Sequence, residues 1–189
     1  MDRALAERAI ADFLRALGHD PDADAELAAT PARVTEAFAD ELLRGYAVDI
    51  GRLITEGSSP APPGAAVVAI TGIDVATVCP HHLMPGIGRG AVVYRPGARL
   101  LGLGTIARLV DACSRRLVLQ ESITSEVVRA LQTHAGARGA YCEVTLVHGC
   151  LSARGACQAR AQATSLSRVG ELSDAEVLLG LGRAAGSAP

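Results

Sequence analysis

The sequence predicts an α+β fold: an antiparallel sheet with two helices on one face, preceded by a helical N-terminal region. Three observations predict it. Apolar residues recur at helical spacing before residue 57. Residues 57 to 64, Gly-Ser-Ser-Pro-Ala-Pro-Pro-Gly, then form a linker rich in turn formers. Beyond it the elements run strand, strand, helix, helix, strand, strand, an order that suits one sheet covered on one side. The expected organisation is therefore residues 1–56 helical, 57–64 linker and 65–189 catalytic.

Each element has its own signal. Leu5, Ile10, Phe13, Leu14 and Leu17 lie on one helical face, and His19-Asp20-Pro21-Asp22 breaks the pattern. Thr30 is the expected N-cap of a second helix with Pro31 at its first position; Val34, Phe38 and Leu42 carry its stripe to Arg44, and Gly45 is the stop signal. Val67 to Ile73 and Gly90 to Tyr94 read as strands with a Cys-Pro-His-His segment in their connection. Residues 105 to 118 present Ile106, Leu109, Val110, Cys113 and Leu117 on one face, and Thr124 is the expected cap of a further helix carrying Val127, Val128 and Leu131. Ala140 to Val147 alternates as a strand, and Ala153 to Ser167 is long enough for a returning one. Leu172 to Leu181 adds a helix before a frayed end at Gly186-Ser187-Ala188-Pro189.

Composition narrows the chemistry. The 18 basic residues among 189 are all arginine. Schiff-base lysines, P-loop lysines and lysine general bases are thereby excluded. Twenty acidic residues bring the net charge to −2, which leaves no electrostatic footprint for nucleic acid or an anionic membrane. Aromatic residues are 3% of the chain, too few for a base-stacking surface, and no apolar run reaches membrane-spanning length. The expected partner is a small molecule or another protein chain. Five cysteines without a signal peptide favour thiol or metal chemistry in the cytoplasm over a disulfide framework.

Cys79-Pro80-His81-His82 offers a thiolate and an imidazole three residues apart, and His148-Gly149-Cys150 offers a second thiolate. Cys79, His82 and Cys150 would make a three-ligand zinc site with a fourth position for water, whose pKa zinc lowers to about 7. His81 and His148 would handle protons beside it. Spacing alone leaves a second reading open, in which both cysteines are small buried hydrophobes and the histidines are ordinary polar groups. Cys113, Cys142 and Cys157 fit plain packing and receive no role.

The chain resembles the GTP cyclohydrolase I family. The likeness runs from Thr30-Pro31-Ala32-Arg33-Val34 through Cys79-Pro80-His81-His82, Gly102-Leu103, Ile106-Ala107-Arg108, Gln120-Glu121 with Thr124, and His148-Gly149-Cys150 to Arg154-Gly155. It implies a tunnelling fold (T-fold) assembled as a ring-shaped homo-oligomer with active sites between subunits. It also implies Cys79, His82 and Cys150 as zinc ligands, His81 and His148 as proton carriers, and Gln120-Glu121 at the guanine edge. A carboxylate such as Glu121 accepts from guanine N1–H and the exocyclic amine, a donor pair that adenine lacks. Without the resemblance, Glu121 reads as a solvated or helix-capping residue.

The phosphate-binding positions depart from the family pattern. Arg33, Arg108 and Arg154 match it, but the family's Gly-Leu-Ser-Lys reads Gly102-Leu103-Gly104-Thr105, and a lysine expected in the Thr-Pro helix is Glu36. Pro80 replaces a glutamate, and Ala159-Arg160-Ala161-Gln162 replaces part of a Ser/Thr-rich stretch. Each lost charge-assisted contact to a polyanion costs about 1.5–3 kcal/mol. The expected activity is therefore hydrolytic opening of a guanine-type purine at C8, on a substrate lacking the triphosphate. The alternatives are GTP cyclohydrolase I activity itself, giving 7,8-dihydroneopterin triphosphate and formate, and a catalytically silent regulatory paralogue.

Overall fold

The computed structural model describes residues 1–183, so the frayed end expected at Gly186–Pro189 lies outside the described residues. The chain divides into two compact units, Met1–Arg44 and Gly45–Pro189. The first holds α1 (Arg3–Ala16), α2 (Thr30–Glu36) and a wide π-helical turn at Ala37–Leu42. Asp2 caps α1 by accepting from the Leu5 amide, and Arg3 pairs with Asp40. Thr30 is not a cap: it lies within α2, whose N-cap Ala29 makes no side-chain bond. The stripe expected to run as one α-helix to Arg44 widens instead, with the Leu43 amide reaching back to the Phe38 carbonyl.

In the second unit Gly45 is a packing point, not a helix stop. Its amide donates to the Arg115 carbonyl, and a Cβ there would lie 2.4 Å from the Ala112 carbonyl oxygen. The chain continues through α3 (Ile50–Glu56), β1 (Ser58–Pro60), β2 (Val68–Val78), β3 (Pro85–Arg95), β4 (Arg99–Leu101), α4 (Leu103–Ser114) and α5 (Gln120–Ala135). It ends with β5 (Gly139–His148), a single helical turn α6 (Gly149–Ser152), β6 (Ala163–Gly170) and α7 (Asp174–Gly180). The break between compact units thus falls upstream of the Pro/Gly/Ser stretch. Part of that stretch is β1, which pairs with β4, and α3 inserts the fully buried Ile54 into the core of this unit.

The main sheet is antiparallel in the order β2-β3-β5-β6. Period-two alternation splits its faces. Val92 and Tyr94 of β3 with Ala140, Cys142, Val144 and Leu146 of β5 point to one side, where Ile106 and Leu109 of α4 and Ile123 and Leu131 of α5 complete the core. Each fully buried valine, leucine or isoleucine among them contributes about 1.5–3 kcal/mol of transfer free energy. Val93 and Tyr141 point to the other side, against Leu172 and Val177 around α7. Strands β2 and β3 extend further than expected and flank the Cys-Pro-His-His segment directly. Strand β6 starts only at Ala163, because residues 149 to 162 are spent on α6 and the loop after it. No helix among the described residues is long and apolar enough to cross a membrane.

Candidate active site

The site grows from one end of the sheet. Strand β3 pairs with β2 through Val78–Pro85 and with β5 through Gly86–His148, so the ends of all three strands lie side by side. Cys79 leaves β2 as His148-Gly149-Cys150 leaves β5. The connection from Cys79 to Met84 is closed by the Leu83 amide donating to the Cys79 carbonyl and the Cys79 amide donating to the Met84 carbonyl. Leu83 adopts a left-handed φ of 53° to make that turn, which costs a non-glycine residue about 1–2 kcal/mol.

Cys79, His82 and Cys150 come together here, with one ligand atom of each within 4.8 Å of the others. Tetrahedral zinc with Zn–S near 2.3 Å and Zn–N near 2.05 Å requires ligand separations of about 3.5–3.8 Å. His82 Nδ1 already lies 3.8 Å from Cys79 Sγ. Two thiols and one imidazole are a donor set suited to zinc, with a fourth position left for a small ligand. Burial, and then the neighbouring Cys79 thiol, push the Cys150 thiol above its ordinary range, while the Arg154 guanidinium opposes that shift. Arg154 is therefore within electrostatic reach of the cluster.

His81 is exposed, with Nδ1 4.0 Å from Cys79 Sγ and its ring edge-on to that of His82. His148 is half-buried, and Gln120 Oε1 lies 2.6 Å from its Nε2. Gln120 reaches this position because the segment before α5 is tied to β2: the Val118 amide donates to the Val78 carbonyl. Gln120 itself is 5% exposed, and its amide nitrogen is held by the Val144 and Ala163 carbonyls. Its polar atoms are thus engaged within the chain. Glu121, next in sequence, is exposed in the first turn of α5. Thr124 does not cap that helix; its hydroxyl donates to the Glu121 carbonyl from inside it.

Arg108 is exposed on α4, with its guanidinium folded back toward the Gly104 carbonyl and the Thr105 hydroxyl. Thr105 is 3% exposed and donates to the Gly57 carbonyl. Arg33 is exposed on α2 in the first unit, and Glu36 of the same helix lies within electrostatic reach of Arg3. Sequence reasoning missed the contact of Gln120 with His148. The Gln-Glu pair was visible, but nothing in its spacing tells which of the two turns inward.

Known proteins resemble this chain along most of its length. The profile of the GTP cyclohydrolase I family matches residues 6–178. The chain is 37% identical over 173 residues to GTP cyclohydrolase 1 of Leifsonia xyli subsp. xyli, covering 92% of this chain and 90% of that protein. It is 43% identical over 150 residues to GTP cyclohydrolase 1 of Chromobacterium violaceum, covering 79% of this chain and 71% of that protein. With GTP cyclohydrolase 1 of Deinococcus radiodurans it shares 38% identity over 144 residues, 76% of this chain and 65% of that protein. Chance does not give such identities across most of two chains, and the chain belongs to the GTP cyclohydrolase I family, a family of hydrolases acting on C–N bonds in cyclic amidines.

Proposed function

We propose that this chain is a zinc-dependent cyclohydrolase that opens the imidazole ring of GTP at C8, yielding formate and 7,8-dihydroneopterin triphosphate. The observation that carries the reading is the convergence of Cys79, His82 and Cys150 within 4.8 Å, in a chain of this family. Zinc bound there supplies Lewis acidity and an acidified water. His81 and His148 are the neighbouring groups able to give a proton to the purine N7 and to take one from the attacking water. Glu121 accepts from N1–H and the exocyclic amine of guanine, and Arg33, Arg108 and Arg154 serve the phosphates.

Relatives named GTP cyclohydrolase 1 favour GTP over a smaller substrate. One observation keeps the smaller substrate as a second reading. Thr105, at the family's lysine position, is neutral and buried with its hydroxyl turned to the Gly57 backbone, so it adds no charge toward a phosphate.

The assembly is a homo-oligomeric ring of tunnelling-fold subunits. Strands β2 and β6 each keep one unpaired edge among the described residues, and Ile87, Leu103, Leu119 and Leu166 are exposed. The compartment is the cytoplasm, where all five cysteines stay reduced and the ligand thiols remain free for metal.

One assay separates the readings. Zinc-loaded protein is incubated with GTP, GMP, guanosine, guanine and 8-oxoguanine, and ring opening and formate are followed by mass spectrometry. Preferred turnover of GTP supports the first reading, and preference for a smaller compound supports the second. No turnover of any purine overturns both and leaves a silent, metal-stabilised paralogue.

A further inference from the structure

Every polar atom of the Gln120 side chain is committed. Nε2 donates to the Val144 carbonyl at 2.7 Å and to the Ala163 carbonyl at 2.8 Å, and Oε1 lies 2.6 Å from His148 Nε2. The two carbonyls settle which end of the amide is which. A carbonyl oxygen only accepts, so turning the amide over would set Oε1 against two acceptors in a site that is almost wholly buried. Such an arrangement forfeits two hydrogen bonds and leaves three oxygens facing one another without a proton. Nε2 therefore stays with the carbonyls and Oε1 with the histidine.

Oε1 has no proton to offer, so the imidazole nitrogen facing it must carry one. The other ring nitrogen, Nδ1, points away from Gln120 toward Gly86. A Cβ at position 86 would lie 3.0 Å from Nδ1 and 3.2 Å from Cε1, so glycine leaves the space that this side of the ring occupies.

We infer that Gln120 is a positioning residue that fixes His148 as its Nε2–H tautomer, so that a proton exchanged between His148 and substrate passes through Nδ1. The inference rests on the reading of His148 as a proton carrier and deepens it by naming the atom used and the residue that selects it. It also moves Gln120 from gripping the base to holding the histidine.

The test is neutron diffraction from crystals of the zinc-loaded protein exchanged into heavy water. The expected density places deuterium on Nε2 of His148, whether or not Nδ1 also carries one, and the ND2 group of Gln120 toward Val144 and Ala163. Deuterium on Nδ1 alone, or an amide oxygen facing the two carbonyls, overturns the inference. These positions are read without turnover, so a chain that opens no purine refutes the cyclohydrolase reading and leaves the tautomer assignment standing.

Kinetics of the near-isosteric Gln120→Met variant separate positioning from base recognition. A kcat about 10- to 100-fold lower, with KM for GTP within about twofold of wild type, is expected of a misplaced proton carrier. A raised KM with kcat retained would return Gln120 to the guanine edge and overturn the inference. If the variant does not fold, the wild-type neutron map still decides.

Discussion

Gly86 stands opposite His148 in the β3–β5 ladder, and the imidazole occupies the space that a side chain at position 86 would need, with Nδ1 3.0 Å from where a Cβ would lie. Gly86→Ala is expected to displace the ring while sparing the sheet pairing. A displacement approaching 1 Å lowers kcat by up to about 100-fold. Steady-state kinetics with zinc analysis check this; unchanged kcat in a fully metallated variant would show that the ring is not held there.

Cys150, two residues past the end of β5, is the third member of the proposed zinc site. Cys150→Ala is expected to weaken zinc binding by at least about 100-fold, more than the loss of an outer-shell partner brings. Competition with a chromogenic chelator measures it. Full zinc affinity in this variant would remove Cys150 from the ligand set.

Zinc should also sort the cysteines by reactivity. Burial pushes the Cys113 thiol up to about 12 and the Cys142 thiol higher still, so neither offers an appreciable thiolate near neutral pH. Cys157 is exposed and Cys150 is half-buried. Native alkylation of the zinc-loaded protein is expected to mark Cys157 alone, and chelation to add Cys150. Peptide mass spectrometry reads both states, and labelling of Cys150 at an equal rate with and without metal would contradict the site.

Thr105, where the resemblance leads one to expect a lysine, is a buried, hydrogen-bonded residue. Thr105→Lys must move a charged chain out of tight contact with the Gly57 backbone and give up the bond to its carbonyl. The expected cost is about 1–3 kcal/mol, read by chemical denaturation. Unchanged stability with tighter GTP binding would show that the position can still serve a phosphate.

Glu176 couples α7 to pH. Its carboxyl is lowered from 4.5 to about 2, first by the Ser173 amide and hydroxyl of the capping box and then by Arg95. A depressed folded pKa stabilises the native state above the unfolded value, and that contribution is lost as pH falls from about 4.5 toward 2. Protection factors of the α7 amides, taken relative to intrinsic exchange at each pH, should fall across this window in wild type. In Glu176→Gln that fall should be absent, and an identical profile in both proteins would refute the assignment.

The sequence by itself determined most of the element types and offered the residues of the candidate site. Helical periodicity around Ile106 and Val127 and alternation through Ala140 to Val147 place one face of each element in a core, because burial of apolar surface dominates folding. Cys79 and His82 were visible as a pair because only two residues, Pro80 and His81, lie between them. The absence of lysine was visible too, and it excluded whole classes of chemistry without any coordinates.

Element ends were less legible. Thr30 and Thr124 look like caps, yet both lie inside helices, because the hydroxyl competes locally for backbone groups and tertiary packing chooses the winner. Only the tertiary structure decided what depends on pairing between distant strands. The β3–β5 register brings Cys150 beside Cys79 and sets His148 over Gly86. The tie of Val118 to Val78 turns Gln120 inward to His148 and leaves Glu121 outside. Chain spacing cannot carry this information, because a hydrogen-bond register is fixed by the sum of side-chain contacts across the sheet and not by any single segment.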